Sequence, residues 1–477
     1  MRLALLIGLV TSAPVLGDCP GGPPVLRGSD IEADHSANDS VAIDGDVAVV
    51  AAPWGPGDGL DPYPGAVYIF RFDGAGWVEE ARLDPADPIP EIQFGADVAV
   101  SGDVVLVSDH SYLGNVGVFR FDPESYSWIH EADLIGDDSQ PGDAFGSALA
   151  IDGDVALIGA PYDYVSSPGG SAYVFRYDDQ TGCWLQEAKL TAASQPDFPY
   201  QWRFGLDVAL RGGVAVIGTP GQYQCQSGAA YVFRFDGVQW AEEAMLVSPA
   251  YGFDGRENFG WKVDIDGDTV VATAPFYPDP FAPAGAAFVF RHAAGQWTQE
   301  AELSAPDGDF DTMFGASVSI RDDLIAVGDP FDDHPPKPES GSVYVFERHR
   351  STWSQVAKYW SLNPDDAFMF GIDVAVSEND VFIGVQSEFI DGEWSGAGVV
   401  YPRTVGPDDC NANGIPNACD DGVADLDDDG IVGIVDLLIL LAGWGPNDCC
   451  GEPPCPDLDG DGNVGIVDLL RLFAEWG

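Results

Sequence analysis

The C-terminal tail places oxygen-bearing side chains at one recurring spacing. In Asp425-Leu426-Asp427-Asp428-Asp429-Gly430-Ile431-Val432-Gly433-Ile434-Val435-Asp436, carboxylates stand at positions 1, 3, 5 and 12, with glycine at 6. Oxygens at 1, 3 and 5, a backbone carbonyl at 7 and a carboxylate at 12 complete the shell of a hard divalent cation, and the glycine permits the sharp turn. The expected ligands are therefore Asp425, Asp427, Asp429, the Ile431 carbonyl and Asp436. The pattern returns 32 residues later as Asp457, Asp459, Asp461, the Asn463 carbonyl and Asp468, with Gly462 at the turn. This duplication makes Ca²⁺ the expected ion. Position 9 is Gly433 or Gly465, so water is expected there. Asp at position 12, in place of a bidentate Glu, lowers the expected affinity below that of a tight buffer site.

A third oxygen series, Asp409, Asn411, Asn413, the Ile415 carbonyl, Asn417 and Asp420, repeats the spacing with fewer charges. It resembles a thrombospondin type 3 calcium loop. Cys410 and Cys419 fall within it, and a turn stapled by that pair needs no ion. Each of the two full loops is followed by an apolar run, Leu437-Leu438-Ile439-Leu440-Leu441 and Leu469-Leu470-Arg471-Leu472-Phe473, which ends at Trp444-Gly445 and Trp476-Gly477. These read as helices closed by glycine. No entering helix precedes either loop. This loop-then-helix pair resembles a type I dockerin over residues 422–477. The resemblance implies docking onto a cohesin-like module, with Ile434, Val435, Ile466 and Val467 as recognition residues. Packing of the two helices on each other is an equal explanation for those four, because a small domain needs every buried side chain.

The rest of the chain shows a longer period. Phe-Gly recurs at Phe94-Gly95, Phe145-Gly146, Phe204-Gly205, Phe259-Gly260, Phe314-Gly315 and Phe370-Gly371, and Ala37-Asn38 holds the same place before Val41-Ala42-Ile43. The seven starts are separated by 57, 51, 59, 55, 55 and 56 residues, a period suited to a four-stranded propeller blade. The unit at Phe145 illustrates the strands. Ala148 to Ile151 leads into Asp152-Gly153-Asp154, whose Asp-Gly pair predicts the positive φ angles of a tight hairpin. Val155 to Ile158 is apolar throughout, as expected when neighbours cover both faces, and ends in Gly159-Ala160-Pro161. A third strand runs from Gly170 to Phe175, and a fourth carries Trp184 and Glu187 to Leu190. Trp77, Trp128, Trp240, Trp297 and Trp353 recur at the fourth-strand position, where packing is expected of them. The seventh unit stops at Tyr401 without such a strand, while Pro24-Val25-Leu26-Arg27 precede the first with no blade of their own. If this N-terminal segment supplies the missing outer strand, the ring closes and two exposed sheet edges disappear.

These Phe-Gly and Gly-Ala-Pro positions resemble the FG-GAP repeats of integrin α-subunit propellers and of many bacterial secreted proteins, over about residues 24–405. The resemblance implies an all-β, seven-bladed β-propeller. It also implies Asp-x-Asp-x-Asp-Gly calcium loops after some Gly-Ala-Pro positions. Segments such as Phe331-Asp332-Asp333-His334-Pro335 lack that spacing, and Asp307, Asp309 and Asp311 read as a polar turn.

Composition sets the remaining bounds. With 20 Lys plus Arg against 78 Asp plus Glu, the net charge of -58 repels phosphate backbones, so nucleic acid is not an expected partner. Residues 1–17 carry Arg2, an apolar run from Leu3 to Val10 and small residues at the end, and are read as a signal peptide. Asp18 before Cys19 is the wrong residue for lipid attachment, and no stretch is long enough for stable membrane insertion. Eight cysteines in an oxidising compartment favour disulfides, whose connectivity the sequence does not give.

The expected organisation is a signal peptide (1–17), a seven-bladed FG-GAP propeller (18–405), a Cys-stapled linker loop (406–421) and a dockerin-like calcium-binding domain (422–477). The expected function is a secreted or cell-surface binding protein, without assigned catalytic residues, whose ligand is an extracellular protein or polysaccharide. The usual nucleophile, zincin and phosphate-binding motifs are absent from the sequence. The alternative is a dockerin-borne polysaccharide-degrading enzyme of glycoside hydrolase type. With 78 acidic residues, some carboxylate pair stands at a workable distance, and only a structure places it.

Overall fold

A computed structural model describes residues 23–29, 40–53, 64–85, 92–109, 114–163, 169–193, 203–221, 228–249, 257–277, 284–306, 312–333, 340–361, 367–390 and 393–403, with two short strands beyond them. Contacts divide the chain into two compact units, Pro24–Thr404 on the one hand and Met1–Pro23 with Val405–Gly477 on the other. In the second unit the described strands are Gly445–Pro446 and Asn463–Val464, paired antiparallel. Apart from the Asn463 backbone, every proposed calcium ligand in the tail lies outside the described residues. Among the described residues every regular element is a strand, and no helix is long and apolar enough to cross a membrane.

The first unit is an all-β, seven-bladed propeller. Six four-stranded antiparallel sheets follow in chain order, spanning residues 41–83, 98–134, 149–190, 207–246, 263–303 and 317–360. In each, the strands pair in sequence order, the first at the channel and the fourth at the rim. The second strand is buried at every position in all six, for example Val155–Ala160 and Leu324–Asp329. Such strands are apolar because the faces of adjacent blades press on both sides of them.

The seventh blade is built from both ends of the unit. Ala367–Val376, Asp380–Ile390 and Glu393–Pro402 form three strands, and Val25–Leu26 adds the fourth, with Val25 opposite Val399 and Leu26 opposite Gly398. The Val400 N–H also donates to the Pro24 carbonyl at 3.0 Å. Leu26 is 3% exposed and packs in one cluster with Val41, Tyr68, Phe382 and Val400, which joins the seventh blade to the first.

Local chemistry explains the blade corners. The hairpin at Asp152–Val155 has its positive φ at Gly153 alone (60°), the arrangement of a type II′ turn with glycine at the first central position. The expectation of positive φ across an Asp-Gly pair is met there by the glycine only. In the Phe-Gly corner, Phe204 is fully buried, and Gly205 has φ 91° with its α-carbon so close to the preceding blade that an added Cβ would run into the Ser171 carbonyl. The corner is thus a glycine-dependent seam contact.

Closure by the N-terminal strand predicts that Leu26→Ala will destabilise the whole unit by about 2–5 kcal/mol, the usual cost of a buried leucine. The check is urea unfolding, with a lowered midpoint and an unchanged slope. A midpoint equal to that of the wild type contradicts closure at this strand.

Candidate functional site

The first strand of each blade borders a central channel and has no sheet partner on that side. Its outward N–H groups are therefore edge donors, which a protein must satisfy or leave to water. The side chains that meet them come from the preceding blade. Aspartate carboxylates accept from Leu149 (Asp97, 2.7 Å), Val263 (Asp207, 2.7 Å), Ile320 (Asp264, 2.7 Å) and Val41 (Asp373, 2.9 Å). Hydroxyls do the same at two other seams, Ser40 for Val98 at 3.3 Å and Ser319 for Val376 at 3.1 Å. The seam between the third and fourth blades is latched at the channel mouth instead, where the Gly212 N–H donates to Asp152 at 2.7 Å. The same mouth contact recurs as Gly102 to Asp44 at 2.8 Å, Gly153 to Ser101 at 3.1 Å and Asp322 to Asp266 at 2.9 Å.

The channel encloses about 220 Å³. Its charged lining residues are Asp97, Asp207, Asp264, Asp373 and one cation, Lys262, whose Nζ lies 3.1 Å from Asp207. These groups sit at the centre of the propeller yet face an open tunnel; the Lys262 side chain is 37% exposed. Burial pushes Asp97 up to about 7 and Asp264 up to about 6, despite the hydrogen bonds each accepts. Asp373 is raised for the same reason, and Lys262 is raised chiefly by the charge of Asp207.

A second set of cross-blade contacts runs round the rim. Between the third and fourth strands the register shifts by one residue in each of the first five blades, and the extra residue is Glu80, Glu131, Glu187, Glu243 or Glu300. A bulge re-aims a side chain, and here it turns the glutamate towards the next blade. Trp128, Trp184 and Trp240 each donate their indole N–H, at 2.9 Å, to Glu80, Glu131 and Glu187 of the preceding blade. Arg71, Arg120 and Arg176 hold the same carboxylates from within the blade. These three tryptophans thus bond across the seam as well as packing, whereas the indole N–H groups of Trp297 and Trp353 make no such bond among the described residues.

The loop after the Gly-Ala-Pro position carries its own ion pairs in two blades. Asp163 is fully buried and meets the Lys189 ammonium at 2.7 Å and the Ser171 hydroxyl at 2.8 Å. Asp332 repeats this with Lys358 at 2.9 Å and Ser342 at 2.6 Å. Asp332 is thus held by an ammonium, in keeping with the absence of calcium-loop spacing at that segment. Asp307, Asp309, Asp311 and the tail ligands Asp425, Asp427, Asp429, Ile431, Asp436, Asp457, Asp459, Asp461, Asp468, Asp409, Asn411, Asn413, Ile415, Asn417 and Asp420 lie outside the described residues. Among the described residues no His/Cys/Asp/Glu group has the arrangement of a metal site.

The channel residues were not singled out by sequence reasoning, although a signal exists. Two residues after each Phe-Gly glycine, at the entry to an apolar strand, stand Asp97, Ala148, Asp207, Lys262, Ser317 and Asp373, with Ser40 at the matching place in the first repeat. Polar residues at one phase of an apolar strand mark edge donors in need of acceptors.

The pH dependence follows from these groups. A carboxyl whose folded value exceeds its unfolded value of about 4 favours folding below that value, and the gain is withdrawn as pH rises through the folded value. For Asp97 and Asp264 the loss falls between about pH 4 and pH 7. Glu131 and Glu187 act in the opposite sense. Burial raises them, but bonds from Arg120 with Trp184 and from Arg176 with Trp240 outweigh it and leave them lowered. Their contribution is lost only as pH falls below the ordinary carboxylate range. The thermal midpoint of the propeller, measured in chelator, is therefore expected to be higher at about pH 5.5 than at about pH 8; a midpoint that rises over that interval contradicts the assignment.

A family model described as FG-GAP repeat matches residues 128–175, 184–233 and 297–346, each segment running from the rim strand of one blade to the third strand of the next. No curated protein matches the chain. A solved structure, "Crystal structure of RRP9 WD40 repeats", is similar at 12% identity and a TM-score of 0.49, over 81% of this chain and 99% of that one. The first unit of this chain is a seven-bladed β-propeller that carries FG-GAP repeats.

Proposed function

We propose that the protein is a secreted, calcium-binding carrier. Its propeller binds an extracellular protein or polysaccharide, and its tail attaches it to a cohesin-like module through a dockerin-like pair of calcium loops. The observation that carries this reading is the duplicated twelve-residue oxygen spacing at 425–436 and 457–468, which has no economical explanation other than cation binding. The propeller supports it from the other side. Its channel carboxylates are already engaged by backbone N–H groups, and its cavity of about 220 Å³ is smaller than the roughly 300–1,000 Å³ usual for ligand sites. A glycoside-hydrolase reading draws no support from that channel. The calcium demand is assigned to the tail and ligand binding to the propeller surface.

Isothermal titration of the full chain tests this. Two Ca²⁺ equivalents are expected from the loops that begin at Asp425 and Asp457, with a weaker third from 409–420. The double variant D425A/D457A is expected to lose the two tighter equivalents while keeping the β-rich circular dichroism of the propeller. Calcium heats that are absent, or unchanged in the double variant, overturn the assignment.

A further inference from the structure

The channel wall holds an unbalanced charge set. The charged groups that line it are the carboxylates Asp97, Asp207, Asp264 and Asp373 and the ammonium of Lys262, with Ser40 and Ser319 as hydroxyl neighbours; Asp44, Asp152, Arg211, Asp266 and Arg321 ring one mouth. Each of the four carboxylates accepts a backbone N–H of the following blade, so none can swing away without opening a seam. Lys262 is the basic residue at the repeat position two after the Phe-Gly glycine, where the other units carry Ser40, Asp97, Ala148, Asp207, Ser317 and Asp373. Its backbone is fixed by the Thr273 hydroxyl at 3.1 Å, its Nζ bonds Asp207 at 3.1 Å, and its charge acts on Asp207 first and then on Asp373 and Asp97 across the channel.

We propose that Lys262 is the counter-charge that stabilises closure of the ring at neutral pH, so that a propeller lacking it closes more weakly there than at a pH where Asp97 and Asp373 carry protons. Like charges held at fixed positions around one narrow tunnel repel one another, and each disfavours the charged form of its neighbours. The latches prevent the ring from relieving that repulsion by side-chain movement. Protonation relieves it: a protonated aspartic acid keeps a carbonyl oxygen that still accepts the seam N–H while losing its charge. The upward shift of Asp97 and Asp373, present even though the ammonium acts against it, shows the direction in which the ring is poised. Removing the ammonium drives these two groups further the same way. The resulting loss of stability is full above their folded values and fades as pH falls through them. The ring is on this account more firmly closed in acid, and at neutral pH the ammonium of Lys262 offsets part of the repulsion that the latches hold in place. The inference concerns the propeller alone and does not depend on calcium or on the tail.

The test uses the full chain in chelator and the thermal midpoint at about pH 5.5 and pH 8. Lys262→Met is expected to lower the midpoint at pH 8 and to recover the larger part of that loss at pH 5.5, and Lys262→Arg to stay near the wild type at both. The double variant K262M/D207N removes one like charge while its new side-chain amide oxygen still accepts the Val263 N–H, and is expected to regain part of the pH 8 loss. If the lysine served only through its alkyl chain, the deficit of K262M would be the same at both pH values. That result, or a K262M midpoint equal to the wild type, overturns the proposal. So does a K262M protein that fails to fold at either pH when K262M/D207N does no better.

Discussion

An unpaired row of backbone donors is the constraint from which the propeller's polar architecture follows. Seven sheets arranged around an axis leave seven first strands with a bare edge on the channel. Buried or half-buried N–H groups without acceptors cost about 1–3 kcal/mol each. The solution is to draw the acceptor from the neighbouring blade. Asp97, Asp207, Asp264 and Asp373, with Ser40 and Ser319, satisfy an edge and tie two blades together in the same bond. The edge problem and the seam problem thus share one answer.

That answer creates a second constraint, because carboxylates brought to the centre of the propeller must be neutralised or protonated. Lys262 meets part of it, and the raised Asp97 and Asp264 express the rest. Further out the same logic uses stronger pairings. Three of the bulge glutamates, Glu80, Glu131 and Glu187, are held by an arginine of their own blade and a tryptophan of the next, as with Glu187 between Arg176 and Trp240. Hydrogen bonds to charged groups are worth more than neutral ones, and at the rim they come with aromatic packing. In the loops of the third and sixth blades, Lys189 and Lys358 do the equivalent work for Asp163 and Asp332. The acidity of the propeller is thus partly structural, which separates it from the acidity of the tail, where carboxylates follow ion-binding spacing.

Much of the fold was legible because the repeat is strict. Phe-Gly spacing located the blades, the apolar second strands marked the buried layer, and the missing seventh rim strand pointed to the N-terminal segment that supplies it. The seam chemistry was not legible for a physical reason. Asp97 and Asp207 look like any surface acid until the strand edge they serve is known, and Glu187 is indistinguishable from its neighbours until the register shift between Val174 and Phe175 turns it towards Trp240. Positive φ at Gln93, Ala144, Arg203, Asn258 and Met369, each immediately before a Phe-Gly phenylalanine, also leaves no mark in residue type. The tail is the converse case: its proposed chemistry rests on spacing alone, and no packing argument was needed to read it.

Native-state hydrogen exchange of the full chain, resolved to peptides from the first strands, tests the central claim that the bare inner edges are latched across the seams. The account predicts that peptides covering Val41–Asp44, Leu149–Asp152, Val263–Asp266 and Ser317–Arg321 exchange as slowly as the buried second strands, although they line an open channel. It also predicts that Asp97→Ala selectively speeds exchange in Leu149–Asp152. Rapid exchange of the first strands in the wild-type protein, at the rate of free sheet edges, would contradict it.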